Sequence, residues 1–312
     1  MSTVYIRFAI RGPSALKRAP VLERLIARAS SSARVRDWRE EAFRAITVEN
    51  AAVPPVAVAA LATSAGVTAG AWVCVATPLH LVAGMTSVAM PDNGILALSS
   101  DEAGALAADF NRVFGDAGAR LAVGRAATLF CVFGRALEVT THDPEEVAGR
   151  DVFGFQAAGT DASRLRQLMS EMEMWLFDHE VNRGRAARAV PPITGLWLWG
   201  GGRVPAAMPI VHGWTAGEDP LFAAFPTETE FPSSAGAGVV VCAEQPSSPG
   251  WPEVEARWLE PATAALKSGR IGRLVLSAGD RRFAVERGIH WRFWRRPRPW
   301  WESFEEWNST GE

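Results

Sequence analysis

The chain alternates short apolar runs with polar punctuation, and the period of each run predicts its element. Residues 4–10 alternate as a strand does. Residues 19–29 and 38–46 carry apolar positions at helical spacing, and Ser30-Ser31-Ser32 between them reads as a loop. Pro54-Pro55 opens an Ala-rich helix ending near Gly66. Residues 72–76 form a continuous apolar run, the pattern of a buried strand. Pro91-Asp92-Asn93-Gly94 predicts a hairpin turn between two strands. Ser100 is placed to cap a helix over 101–114, with Asp101 and Glu102 at its positive end. Residues 127–133 and 136–140 read as two strands joined at Gly134-Arg135.

His142-Asp143-Pro144 breaks the pattern, and a loop-rich segment runs to about Gly159. Asp161 then caps a long helix. Its residues Leu165, Leu168, Met169, Met172, Trp175 and Leu176 fall on one stripe. An Arg-rich turn and Pro191-Pro192 lead into an apolar strand that ends on Gly200-Gly201-Gly202. Beyond it the chain predicts a short strand at 209–212, a short helix at 219–225 and a strand at 238–243. A helix at 254–267, a strand at 273–277 and a last strand pair ending near Trp294 complete the pattern. The second half alternates strand and helix. The expected fold is therefore α/β, a mixed-sheet layered fold with an α+β N-terminal half. The expected division is an α+β lobe over 1–150, an α/β lobe over 151–296 and a tail over 297–312, with the lobe boundary in the loop 150–159.

Composition narrows the classes. With 312 residues, 48% hydrophobic and 21% charged, the chain is that of a globular protein. A net charge of −2 gives no general attraction to nucleic acid or anionic lipid. Only Lys17 and Lys267 are lysines, so 30 of the 32 basic residues (32 − 2) are arginine. A GC-rich coding bias accounts for this, or selection for bidentate anion binding. Cys74, Cys131 and Cys242 stand far apart among apolar residues, without CxxC or Cys–His spacing. Buried free thiols are expected rather than a zinc site or disulfide framework. The first apolar run carries an arginine and no cleavage motif, and no run reaches the ~20 residues of a membrane helix. A cytoplasmic protein without cofactor or membrane attachment is the expectation.

Three constellations could carry chemistry. His179, Asn182, Arg183 and Arg185 cluster where the long helix ends. They stabilise a helix C-terminus or form an anion site. Gly200-Gly201-Gly202-Arg203 follows a strand, where α/β sheets collect ligands, but matches no nucleotide motif. Trp197 and Trp199 share one strand face, as core or as a stacking platform. The stretch 289–301 interleaves arginine with tryptophan, which suits a packed strand, a protein interface or single-stranded nucleic acid. Glu302, Glu305 and Glu306 partly cancel its charge. His80, His142, His179, His212 and His290 show no mutual metal-ligand spacing, and no metal site is expected.

Several segments resemble one family. Glu171-Met172-Glu173-Met174-Trp175-Leu176, His179-x-Val181-Asn182-Arg183 and Leu196-Trp197-Leu198-Trp199-Gly200-Gly201-Gly202 resemble the signature of bacterial RpfE-type regulatory proteins. Pro78-Leu79-His80-Leu81 and Arg292-Phe293-Trp294-Arg295-Arg296 resemble two further motifs of that family. The chain departs from the pattern at Thr77, Phe177, Glu180 and Thr194-Gly195. Residues 198–202 also resemble a segment of cofactor-independent phosphoglycerate mutases. That resemblance implies a degenerate alkaline-phosphatase-like architecture, whose catalysis uses a Ser or Thr nucleophile and two metal ions held by Asp and His clusters. No such clusters are legible.

The resulting expectation is a non-catalytic regulatory or partner-binding protein of RpfE type, with an unidentified protein partner and no catalytic residue. A phosphate-handling enzyme related to the mutases is the alternative, and a nucleic-acid accessory protein the second. The expected ligand cleft comprises Trp199, Gly200, Gly201, Arg203 and His212, with His179 and Asn182 structural. The expected partner surface comprises Arg295, Arg296, Arg298, Trp300 and Trp301, with Trp291 and Phe293 packed on the body.

Overall fold

The computed structural model describes residues 2–9, 17–35, 37–47, 54–64, 66–217, 219–234, 236–243, 250–288, 292 and 294–303. It contains two compact units. The chain starts in the first with β1 (Thr3–Ala9), α1 (Pro20–Ala27), β2 (Ser31–Arg34) and α2 (Trp38–Ile46). The second unit, Ala52–Met208, holds α3 (Pro55–Thr63), β3 (Trp72–Leu79), β4 (Val82–Ala83), β5 (Val88–Ala89) and α4 (Ser100–Phe114). It continues through β6 (Ala119–Val123), β7 (Leu129–Phe133), α5 (Pro144–Val147), α6 (Ala162–Phe177), α7 (Glu180–Ala187) and β8 (Gly195–Arg203). The chain returns to the first unit with β9 (Trp214–Gly217), β10 (Gly238–Ala243), α8 (Trp251–Val254), α9 (Glu260–Ser268), β11 (Arg273–Ala278) and β12 (Arg281–Glu286).

The first unit is a six-stranded mixed sheet, ordered β2-β12-β11-β1-β10-β9. β11, β1, β10 and β9 run parallel; β12 and β2 pair antiparallel at one edge. Alternation along β1 sends Val4, Ile6 and Phe8 into a core shared with α1 and α9. Tyr5 and Arg7 go to the face on which α2 packs. The second unit is a four-stranded sheet, β6-β7-β3-β8, with antiparallel pairing throughout. One face buries Trp72, Cys74, Ala76, Leu129, Cys131 and Leu198 against α4 and α6. α3 packs with β3 and β8. No helix among the described residues is long and apolar enough to cross a membrane.

The α/β class with mixed sheets is as expected; the organisation differs. The loop 150–159 lies inside the second unit, because β8 pairs along the whole of β3 and ties residues beyond 150 to those before it. The N-terminal strand belongs with the C-terminal ones, between β10 and β11. Ser31 and Ser32 form an edge strand, held by backbone pairing to β12 with all side chains exposed, which apolar periodicity does not detect. Residues 136–140 form no strand beyond a bridge between Thr140 and Ala158; the Glu138 N–H goes to the Asp161 carboxylate instead. Asp161 therefore gives α6 no side-chain cap. The cap of α4 is Ser99 rather than Ser100, in a reciprocal box with Glu102. The turn 91–94 closes through Gly94 N–H to the Pro91 carbonyl at 2.8 Å. Its flanks pair elsewhere, Ile95 with Leu79 and β5 with β4.

Candidate functional site

The glycine run does not end a strand; it lies within β8. Val73 pairs with Gly202 and Val75 with Trp199, so Gly200 and Gly201 together oppose Cys74 in a β-bulge. Gly200 takes the left-handed conformation, φ +69°, that the bulge requires. The space where side chains would stand is occupied. A Cβ at Gly201 would collide with the Trp72 ring, one at Gly202 with the Pro54 ring, and one at Gly200 would come within 2.8 Å of Val56. Gly200 N–H donates to the Thr141 hydroxyl at 3.1 Å. Trp199 is buried and its indole N–H donates to the Thr77 hydroxyl at 2.8 Å. Arg203 is exposed and donates to the Gly70 carbonyl at 3.1 Å. His212 belongs to the first unit, where its backbone N–H donates to the Ile46 carbonyl at 2.9 Å. The glycines serve close packing of the unit's own side chains.

The cluster at the end of the long helix is assembled by a helix break. α6 stops at Phe177, and His179 caps α7 by accepting the Val181 N–H on Nδ1 at 3.1 Å. The imidazole proton therefore sits on Nε2, which faces Asp109 Oδ2 at 3.4 Å. The Trp175 indole N–H donates to the same oxygen at 2.8 Å, and the Trp175 and His179 rings lie 4.7 Å apart. The Trp175 hydrogen bond, then Arg112, holds the Asp109 carboxyl below its usual range. Burial pushes the His179 pKa down. Asn182 turns inward. Its amide donates to the Leu176 and Ile193 carbonyls and accepts the Ile193 N–H, each at 2.8 Å, tying the end of α6 to the start of β8. Arg185 is buried, donating to the Pro191 carbonyl at 2.8 Å and to Glu102 at 3.1 Å, while Arg188 reaches Glu102 at 2.5 Å.

His179 and Arg183 thus line a cleft of about 610 Å³, and Asn182 and Arg185 tether its wall. Asp101, Glu102, Asp109, Asp178 and Glu180 line it with Arg112, Arg183 and Arg188, an excess of two negative charges (5 − 3) when His179 is neutral. Arg112 is paired with Asp109 and Arg188 with Glu102. Arg183 forms no ion pair among the described residues. Both imidazole nitrogens are engaged, so His179 shapes this cleft rather than moving protons in it. A second cavity of about 420 Å³ has Leu81, Phe153, Met169 and Trp197 in its wall. Loss of hydration pushes the Glu173 carboxyl beside it upward.

The C-terminal segment divides. Arg295, Arg296 and Arg298 are exposed, and Arg295 donates to the Ala29 carbonyl at 3.1 Å. Trp300 is fully buried in the core of the first unit, donating to the Lys17 carbonyl at 2.9 Å, and Trp301 packs half-buried beside it. The expected partner surface therefore loses Trp300, and residues 297–303 are part of the unit rather than a tail. The expected packing of Trp291 and Phe293 lies outside the described residues.

No known family's sequence pattern matches the chain. Over 83 residues, 26% of its length, the chain is 35% identical to the 2,3-bisphosphoglycerate-independent phosphoglycerate mutase 2 of Methanothermobacter thermautotrophicus. The match spans 21% of that protein, about a fifth of its length. Among solved structures, the chain is similar to a cofactor-independent phosphoglycerate mutase from Thermoplasma acidophilum, with a TM-score of 0.38 and 14% identity over 92% of this chain and 90% of that one. The PH0037 protein from Pyrococcus horikoshii gives 0.34 and 10% over 91% and 87%. Both scores are too low to establish a shared fold. The sequence match corrects the expected non-catalytic regulatory role: the protein matched is an enzyme, and no family pattern supports the resemblance to RpfE-type regulators.

Proposed function

We propose that this chain is a cytoplasmic phosphate-handling enzyme related to cofactor-independent phosphoglycerate mutase. The 83-residue match at 35% identity supports the reading, and the mutase matched is named for its action on phosphoglycerate. Among the described residues, no three His, Cys, Asp or Glu side chains converge to hold a metal ion. The described residues therefore do not fit the metal pair of such mutases. What the chain offers a phosphate ester is guanidinium chemistry, and Arg183 is the cleft cation without an ion pair among the described residues.

Calorimetric titration with 3-phosphoglycerate, and phosphorus NMR of its conversion to 2-phosphoglycerate with and without added manganese, test the proposal. Binding is expected, weakened about tenfold in Arg183→Ala, the loss of one charge-assisted hydrogen bond. Failure both to bind and to convert either phosphoglycerate would overturn the reading. Binding untouched by Arg183→Ala would keep the function and move the site out of this cleft.

A further inference from the structure

Cys74 and Cys131, 57 positions apart (131 − 74), are brought face to face by the pairing of β3 with β7. They stand directly opposite in the antiparallel register. Opposite residues in such a ladder have Cα atoms about 4.5 or 5.5 Å apart. A disulfide spans Cα separations of about 4.4–6.8 Å, a range that covers both pair types. Both cysteines are essentially inaccessible, at 1% and 0% exposure, and both point into the core between α4 and α6. Cys242 belongs to the other unit.

We propose that Cys74 and Cys131 are a modification site, converted to a cross-strand disulfide by hydroperoxide. Burial selects the oxidant: a water-sized peroxide enters a close-packed core through small fluctuations, and a glutathione-sized disulfide does not. One thiolate attacks hydrogen peroxide, its sulfur taking one oxygen to become a sulfenic acid while hydroxide leaves. The facing thiol then displaces that oxygen as water, forming the S–S bond. Two thiols and one peroxide give one disulfide and two waters. Burial also keeps the Cys74 thiol well above its usual range, so thiolate is scarce and the site answers sustained rather than brief oxidant. The bond would staple the two central strands of the sheet, next to the bulge where Gly200 and Gly201 oppose Cys74.

The test treats the full chain with hydrogen peroxide until the fully exposed Met85 is converted to its sulfoxide. The sample is then acid-quenched, denatured with an alkylating agent and mapped by mass spectrometry. Expected are a Cys74–Cys131 linked peptide pair lighter by two hydrogens and amide exchange in β3 and β7 slowed at least tenfold. Cys131→Ser should abolish the link. In a second arm, the reduced, unfolded chain is refolded in a glutathione redox buffer, where the thiols are reachable before the core closes, and the same pair should form. Thiols at 74 and 131 that stay alkylatable in both arms, or a bridge to Cys242, would overturn the site. A link in the refolding arm alone would overturn the peroxide step.

Discussion

Replacing Trp300 with alanine separates a packed C-terminal segment from a free binding arm. The indole is wholly buried, flanked by Trp251 at 5.1 Å and Trp301 at 5.7 Å between ring centroids, and hydrogen-bonded to the Lys17 carbonyl. Removing a buried aromatic costs about 3–5 kcal/mol in lost transfer energy and cavity formation. The orphaned Lys17 carbonyl places the loss toward the upper end of that range. With a urea dependence of about 2 kcal/mol per molar, a loss of about 4 kcal/mol lowers the midpoint by about 2 M. Far-UV circular dichroism in urea measures it. Trp300→Phe keeps most of the apolar bulk and loses only the N–H, so about 1–2 kcal/mol is expected. A midpoint within about 0.5 M of the parent for Trp300→Ala, the behaviour of a surface position, would show that the indole carries no weight in the core.

Other perturbations address the second unit. Asn182→Ala leaves two carbonyls and one N–H without their side-chain partner and should cost about 2–4 kcal/mol by urea unfolding; Asn182→Asp, which removes both donors, should do no better. Gly201→Ala should destabilise more than Gly200→Ala, because its Cβ meets the rigid Trp72 ring whereas Val56 can turn; thermal melts of the two variants decide the order. The depressed pKa of His179 means that the unfolded chain binds the extra proton first as pH falls below the ordinary imidazole value of about 6.5. Its contribution is therefore whole above that value and lost as pH drops through the folded pKa. His179→Asn keeps a capping side chain and should flatten urea midpoints between about pH 5 and 7; an unchanged slope would assign it to other groups.

Elements with strong periodicity were legible in the sequence. α2 spans 38–46 as predicted, and the stripe from Leu165 to Leu176 is the buried face of α6. Edge and long-range features were not. The four exposed residues of β2 carry no apolar signal, and the pairing of β1 with strands more than two hundred residues away leaves no local trace. A glycine run after an apolar strand looks alike whether backbone amides face a ligand or neighbouring side chains press on the backbone, and only the positions of Trp72, Pro54 and Val56 distinguish the two. The structural role expected of Asn182 is visible in its three hydrogen bonds. The Asp109–Trp175–His179 contacts depend on α4 meeting α7, for which the sequence held no signal.

The interrupted first unit has a consequence for biosynthesis. β1 occupies an interior position of its sheet, between β10 and β11, and Val4 pairs with Gly238 and Leu274. At about 5–20 residues per second, roughly 10–50 s pass between the ribosome's release of β1 and of its first neighbour. Through that interval β1, with Val4, Ile6 and Phe8 along one face, has both strand edges open, while the continuous segment of the second unit has every strand of its own sheet to hand. The nascent chain should therefore need a chaperone over β1 until β10 emerges. A ribosome-bound chain carrying the sequence through the second unit should show a protected interior and a protease-sensitive start.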